Sequence, residues 1–329
     1  MNPVRDAALS SALERAAEQA ILAPSVHNTQ PWRFVARPGE MELRADFSRQ
    51  LDVLDPDARE LIISCGAALF NVRVSLAAAG YGASVRRLPD PTQPDLLARI
   101  WPLTGSPAAA SLAVLDREIV RRQTNRRRYA PEPVPPRVVE TIIRAVEDCS
   151  ARLLQIVDAN DREAMAALSR TAEERQILDP AYRAELRRWT TDETGRRDGV
   201  RSLTVPKVGV DSPDAGLRDF DTRGSGFLPA ETGSIADDNL FVLGTDQDEP
   251  VAWQAAGEAL QHALLEITRL GYAASPLSQI TEDAGTRAEL RRMLVRPMHP
   301  QVLLRVGRAP AAPGSSRRPL SEVLTWVEN

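Results

Sequence analysis

Cysteine, histidine and lysine are nearly absent from this chain. Cys65 and Cys149 are its two cysteines, each inside an apolar helical pattern, and the three histidines show no paired spacing with them. That argues against a disulfide-stapled fold and against a protein-built metal site, and leaves two reduced, buried thiols. Lys207 is the single lysine, so nearly all positive charge is carried by arginine. Aromatic residues make up 5% and are not interleaved with the basic runs, and the net charge is −4. Neither property suits a nucleic-acid surface. No apolar run reaches the ~18 residues that span a bilayer, and the N-terminus lacks the charged, apolar, small-residue order of a secretory signal. The expected setting is cytoplasmic, with neither membrane nor nucleic acid as partner. No Gly-x-Gly-x-x-Gly or Gly-x-x-x-x-Gly-Lys loop is present for a resident nucleotide.

What is there is ordinary globular composition, 43% hydrophobic and 26% charged over 329 residues, enough for two lobes or one large domain. Apolar residues at helical spacing mark 7–22, a long run after Asp55-Pro56, 137–147, 161–178, 181–190 and 253–270. Strand patterns mark 32–36, 41–45, 84–88, 97–103, 152–157, 239–245 and 300–306. Residues 195–233 are rich in glycine, proline and aspartate without a period, and predict an ordered loop or a lid. Two helices share a pattern. Cys65-Gly66 opens a stretch that reaches Gly80-Tyr81, and Ala256-Gly257 opens one that reaches Gly271-Tyr272, fourteen residues from glycine to glycine in both. This internal repeat, offset by 191 positions, implies a duplicated unit.

Two stretches carry polar chemistry. Ala23-Pro-Ser-Val-His-Asn-Thr-Gln-Pro-Trp-Arg-Phe34 lies between a helical run and a strand, and its two prolines stiffen the chain. Ser25, His27, Asn28, Thr29 and Gln30 there can serve a helix-ending loop or read the edge of a planar heterocycle, and the residues alone leave both open. The second stretch, Arg117 to Arg128, holds six arginines. Alone, it fits a solvated helix face or an anion patch.

Together these stretches resemble the FMN-dependent nitroreductase superfamily, and its Acg branch in particular. Pro24-Ser25-Val-His-Asn28-Thr-Gln30-Pro-Trp resembles the family's Pro-Ser-x-x-Asn-x-Gln-Pro-Trp loop. Arg122-Gln-Thr124-Asn-Arg126, followed by Pro131-Glu-Pro-Val-Pro-Pro136, resembles its Arg-x-Ser-x-Arg phosphate motif, and Arg317-Arg-Pro-Leu320 its C-terminal basic motif. The resemblance implies an α+β fold of nitroreductase type. It also implies that two tandem half-related lobes, residues 1–115 and 116–329, form a fused pseudo-dimer with one FMN. Each half keeps what the other lacks, so the mirror site is expected to be empty. Pro24, Ser25, His27, Asn28 and Gln30 are the implied flavin loop. Arg122, Thr124 and Arg317 are the implied phosphate ligands, Arg126 the residue beside the pyrimidine edge, and Pro276, Leu277 and Ser278 the loop approaching flavin N5. No catalytic side chain is certain, and His27 is a candidate proton donor.

The implied activity moves two electrons from NAD(P)H through FMN to a nitro, quinone or similar small acceptor. The second half carries an insertion, about 160–235, whose 195–233 stretch is expected to cover the flavin. A cover of that kind also fits a non-catalytic FMN-sequestering protein, which uses the same binding residues. The molecule is expected to be a monomer acting as its own pseudo-dimer, with a homodimer left open.

Overall fold

The computed structural model describes residues 3–105, 109–205, 218, 220, 239–294 and 297–328. Much of the stretch read as a lid therefore lies outside the described residues; 195–205, Arg218 and Phe220 lie within them.

The chain opens with α1 (Pro3–Ala20), a hairpin of β1 (Trp32–Arg37) and β2 (Glu40–Ala45), and the long α2 (Arg59–Ala78). β3 (Tyr81–Arg87), β4 (Leu96–Thr104) and two short helices, α3 (Ala109–Ala113) and α4 (Asp116–Arg121), follow. The second half begins with α5 (Pro136–Glu147) and β5 (Arg152–Ile156), then inserts α6 (Ala159–Leu178) and α7 (Pro180–Trp189). It continues with β6 (Asn239–Thr245), α8 (Pro250–Arg269), β7 (Ala273–Leu277), α9 (Gln279–Glu282), α10 (Ala284–Met293) and β8 (His299–Gly307). The C-terminal arm carries α11 (Leu320–Val323) and β9 (Leu324–Trp326). The helices and strands read from sequence are present with ends shifted by a few residues; β7, β9, α3, α4, α9, α10 and α11 are additions.

One sheet runs β3-β4-β2-β1-β9 and the other β5-β6-β8-β7. Reading each from the strand that follows its long helix gives the same order, β3-β4-β2-β1 and β7-β8-β6-β5. The fold is α+β, built on two sheets of one topology. β9 lies parallel to β1, Phe34 beside Leu324, so the C-terminal arm closes an edge of the first sheet.

α2 and α8 hold the sheets together. By length and composition α2 is apolar enough to cross a membrane, but it is enclosed by protein. The two helices cross where Gly66 meets Gly257. A Cβ at Gly66 would run into the Gln254 carbonyl oxygen, and one at Gly257 into that of Ile63. These contacts exchange under the 191-residue offset. So does the next layer: Phe70 stacks on His262 with ring centroids 4.6 Å apart, while Gln261 Nε2 donates to Asn71 Oδ1 at 2.7 Å. Paired exchange of this kind is what a two-fold axis imposes on an interface. Each helix then packs on its own sheet, α2 with Trp32, Phe34, Leu43 and Ile100, α8 with Phe241, Leu243, Val302 and Leu304.

The inserted α7 docks on the first half. Tyr182, Leu186, Trp189, Val200 and Val205 bury Leu51 and Leu54, and the Glu185 carboxylate accepts from Val53 N at 3.2 Å and Leu54 N at 3.0 Å. Trp189 lies between the Arg49 and Arg196 guanidiniums, at 5.6 and 5.3 Å.

Gly66→Ala and Gly257→Ala should each destabilise the protein by about 1–3 kcal/mol or more through overpacking. The double variant should lose less than the sum, because the helices need separate only once. Urea unfolding of the four proteins checks this. Additive losses would mean that the glycines do not share one contact.

Candidate active site

The loop before β1 is held in a costly conformation. His27, Asn28 and Gln30 have φ values of 46°, 55° and 53°, each costing on the order of 1–3 kcal/mol for a side chain with a Cβ. Local bonds hold part of it: Ser25 Oγ accepts from Gln30 N at 3.0 Å, and Ser64 Oγ from Val26 N at 3.2 Å. Two distant segments hold the rest. Asn28 and Gly199 exchange bonds, Asn28 Nδ2 to Gly199 O at 3.0 Å and Gly199 N to Asn28 O at 3.2 Å, while Gln30 Nε2 donates to Arg197 O at 2.9 Å. From the C-terminal arm, Arg317 Nη1 donates to Asn28 Oδ1 at 3.1 Å and Arg318 N to Gln30 Oε1 at 2.8 Å. Asn28 and Gln30 thus clasp the inserted segment and the arm, and neither forms part of the cavity wall described next.

That cavity, about 120 Å³ and partly open to solvent, lies between the halves. The first half contributes Pro24, Ser25, His27, Glu60, Ser64 and Ala67. The second contributes Thr124, Arg126, Leu260, Pro276, Leu277 and Ser278, and the insertion adds Arg218 and Phe220. Residues 122–126 run extended beside β7, Thr124 bridging Ala274 and Asn125 N donating to Ala274 O at 3.0 Å. Thr124 and Arg126 therefore face the cavity, while Asn125 Nδ2 turns to Pro310 O at 2.7 Å.

Positive charge is buried here without compensation. Arg122 and Arg317 share the Leu22 carbonyl, at 3.4 and 3.3 Å, and Arg317 also reaches Ala23 O at 3.2 Å. Arg122 Nε and Nη1 and Arg317 Nε are buried without a partner among the described residues. Among the described residues, no carboxylate pairs with Arg122, Arg126 or Arg317. Burial pulls all three below the ordinary arginine range; the Arg317 charge adds to this at Arg122, and the Arg218 charge at Arg126. Uncompensated buried charge is costly, so the Arg122–Arg317 pair fits an oxygen-rich dianion.

Arg218 is paired. It donates to Glu282 Oε1 at 2.6 Å and to His27 Nε2, with Ser278 Oγ at 3.5 Å. Burial first, then the Arg218 and Arg126 charges, hold His27 well below its ordinary range, so it is neutral at pH 7. His27 Nδ1 is buried and unpartnered. Phe220 stands edge-on to His27 at 5.5 Å, with Arg126 5.0 Å over its ring. Glu60 lines the same wall; burial lifts it to about 7, the Arg59 charge opposing that rise and the Glu282 and Asp55 charges adding to it.

The position related to this cavity by the repeat is filled. Glu258, 191 residues after Ala67, is buried and paired with Arg73 Nη1 and Arg87 Nε, both at 2.6 Å. Cys149 and His262 lie close by, Sγ 3.9 Å from Nδ1, with the thiol raised to about 12 by burial and the imidazole lowered to about 4, mainly by burial.

Eight of the residues singled out from sequence, Pro24, Ser25, His27, Thr124, Arg126, Pro276, Leu277 and Ser278, thus meet in one cavity wall. Arg122 and Arg317 meet each other beside its loop, and Asn28 and Gln30 act on that loop. Glu60, Arg218 and Phe220 were not anticipated. Glu60 reads as an ordinary first-turn glutamate, and the other two lie in an aperiodic stretch, so no local pattern marks them.

The nitroreductase family profile matches residues 119–308. A Mycobacterium tuberculosis protein named "Putative NAD(P)H nitroreductase Rv3131" is 38% identical over 94% of this chain and 90% of its own length. A second from that organism, "Putative NAD(P)H nitroreductase acg", is 32% identical over 94% of each chain. Among solved structures, the FMN-dependent nitroreductase NfnB of Mycobacterium smegmatis, in complex with NADPH, is 18% identical and covers 64% of this chain and 97% of its own, with a TM-score of 0.41. A Desulfitobacterium hafniense nitroreductase with bound FMN is 14% identical over 65% of this chain and 98% of its own, at a TM-score of 0.42.

Arg122→Met removes a buried, unpaired charge but keeps much of its volume. It should stabilise the ligand-free protein by about 1–3 kcal/mol and remove the stabilisation that inorganic phosphate gives the wild type. Urea unfolding with and without phosphate reads both. A destabilised variant that still responds to phosphate would show that Arg122 is not an anion ligand.

Proposed function

The chain belongs to the nitroreductase family, and from that premise we propose that it is an FMN-binding oxidoreductase passing two electrons from NAD(P)H to a small nitro, quinone or similar acceptor. The observation that carries this is the pair of buried guanidiniums, Arg122 and Arg317, uncompensated beside a cavity built from both halves. A flavin phosphate supplies the missing dianion. In this reading Arg122, Thr124 and Arg317 hold the phosphate end and Pro24, Ser25 and His27 line the ring. Arg126 sits by the pyrimidine edge, where fixed positive charge favours the reduced, anionic flavin. The backbone of Pro276–Ser278 approaches N5. Asn28 and Gln30 serve by orienting Arg317 and Arg318. When bound, FMN supplies the hydride chemistry; the chain supplies position, charge and exclusion of water.

The same reading takes 1–115 and 116–329 as halves descended from one duplicated unit. The matching strand order and the exchanging contacts of α2 and α8 support it. Because one chain provides both walls of the cavity, a monomer suffices. The filled position around Glu258 supports one FMN per chain rather than two.

A second reading rests on Arg218 and Phe220. They stand in the cavity wall on an insertion whose α7 is firmly docked, an arrangement that suits a protein holding FMN away from substrates. NADPH oxidation by the flavin-loaded protein with quinone and nitroaromatic acceptors, against free FMN, separates the two. Turnover above that blank supports the reductase, and its absence with tightly held flavin supports sequestration.

Flavin released by denaturation should amount to one FMN per chain. Arg317→Ala should weaken FMN binding by one to two decades, roughly 1.5–3 kcal/mol for a charge-assisted contact. Asn28→Ala should weaken it less, since it only loosens Arg317. Riboflavin, which lacks the phosphate, should bind both variants nearly as it binds the wild type. Equal losses for riboflavin would remove Arg317 from the phosphate site.

A further inference from the structure

We propose that Glu60 is the acid of this site, delivering to the bound acceptor the proton that accompanies its two-electron reduction. The proposal rests on the oxidoreductase reading and gives that activity its proton source. Converting a quinone to a hydroquinone requires a hydride and a proton. The hydride adds to the acceptor as the reduced cofactor is oxidised. The Glu60 O–H bond breaks, its electron pair staying on the carboxylate, and a new O–H bond forms on the quinone oxygen. Water returns the proton to Glu60 after product leaves.

Among the described residues, the titratable groups in the cavity wall are Glu60, His27, Arg126 and Arg218. Arginines keep their protons. His27 accepts from Arg218 at Nε2 and faces a second guanidinium, so an imidazolium there is strongly disfavoured. Glu60 is left, and its surroundings suit the task.

Asp55 packs against it by capping α2, Oδ1 accepting from Glu60 N at 3.0 Å and Oδ2 from Leu61 N at 2.9 Å. Glu282 approaches from α9, held by Arg218 of the insertion. Arg59 contacts the Glu60 carboxylate but divides its donors among Gln301 O, Gln301 Oε1 and Thr281 O, at 2.9, 3.0 and 2.8 Å. Asp55, Glu60 and Glu282 thus crowd together beside Arg59 and Arg218, with Arg126 elsewhere in the same cavity wall, and the mutual repulsion of three buried carboxylates favours a proton on one of them. Asp55 is committed to the helix N-terminus and Glu282 to Arg218, whereas Glu60 opens on the cavity. In the same wall the buried His27 Nδ1 has no partner among the described residues. With Nε2 accepting, Nδ1 carries the hydrogen, and it suits a ligand oxygen held within reach of Glu60.

The test compares two acceptors on the flavin-loaded protein: a quinone, which needs the proton, and ferricyanide, which takes one electron and no proton. In the wild type the quinone-to-ferricyanide turnover ratio should fall as pH rises through about 7, where Glu60 loses its proton. In Glu60→Gln the ratio should drop roughly a hundredfold and lose that pH dependence, while Glu60→Asp should restore part of both. Infrared spectroscopy supplies a readout free of turnover: a carboxylic C=O band that titrates near neutrality in the wild type and is missing in Glu60→Gln. An unaltered ratio in Glu60→Gln, or a band titrating near 7 that persists in it, overturns the assignment. Asp55, which burial lifts to about 6, accounts for a separate band that Glu60→Gln retains and Asp55→Asn removes. Should that variant not fold, a wild type without such a band overturns it equally. A protein that reduces neither acceptor overturns the oxidoreductase reading, and the role of Glu60 with it. Reduction of both with an unaltered ratio overturns the role of Glu60 alone.

Discussion

The crossing of α2 and α8 at Gly66 and Gly257 is the constraint on which the rest of the structure depends. Helix axes this close require that neither residue carry a Cβ, since each would strike the other helix's backbone. Close approach fixes the angle and the register of two long, buried helices, and interiors packed at crystal-like density transmit that choice outward. Each helix carries a sheet on its far side, so the crossing also sets how the sheets face one another. The cavity follows from it. Ile63 and Ala67 on one helix and Leu260 on the other line its floor, while the loop before β1 and the end of β7 arrive from opposite halves.

Symmetry at the axis relates the cavity to a second position, and among the described residues side chains occupy that position. Ala67 leaves space on one side; Glu258 fills its counterpart with a carboxylate pinned by two guanidiniums. The open side carries the reverse imbalance, with Arg122, Arg126 and Arg317 buried and lacking carboxylate partners. A closed ion cluster satisfies itself, whereas an open one is satisfied only by a ligand. The two sides of one axis have thus been driven to opposite electrostatic solutions.

The sequence made legible what is periodic or short-range. The β1–β2 hairpin, the two long helices and their glycines follow from spacing alone, and the polar loop and the 122–126 segment could be named because their residues are contiguous. Side-chain direction was not legible. Asn28 and Gln30 look like ligand-reading amides, yet their bonds go to Gly199, Arg197 and the 317–318 backbone and side chain, partners more than 160 residues away. Glu60 was hidden by the opposite effect. It sits where any helix favours an acid, and only burial beside Asp55 and Glu282 gives it a different chemistry. Arg218 and Phe220 have no local signature, because a tertiary position in an aperiodic stretch leaves none.

These distant bonds link the conformation of the loop to the order of the chain's peripheral segments. The loop before β1 holds three left-handed residues, and the bonds that offset their strain come partly from the insertion and partly from the C-terminal arm. Arg317 stands at the junction: it bonds Asn28 and the Leu22 and Ala23 carbonyls, and its remaining N–H faces the uncompensated region beside Arg122. An anion bound there would draw Arg317 inward and, through Asn28, tighten the loop against Gly199. Loss of the anion would leave two like charges repelling each other across one shared carbonyl, and the arm that carries Arg317 ends in a three-residue strand on the edge of a sheet. Loop strain and closure of that sheet edge therefore meet at the guanidinium of Arg317, which bonds Asn28 and the Leu22 and Ala23 carbonyls from the arm.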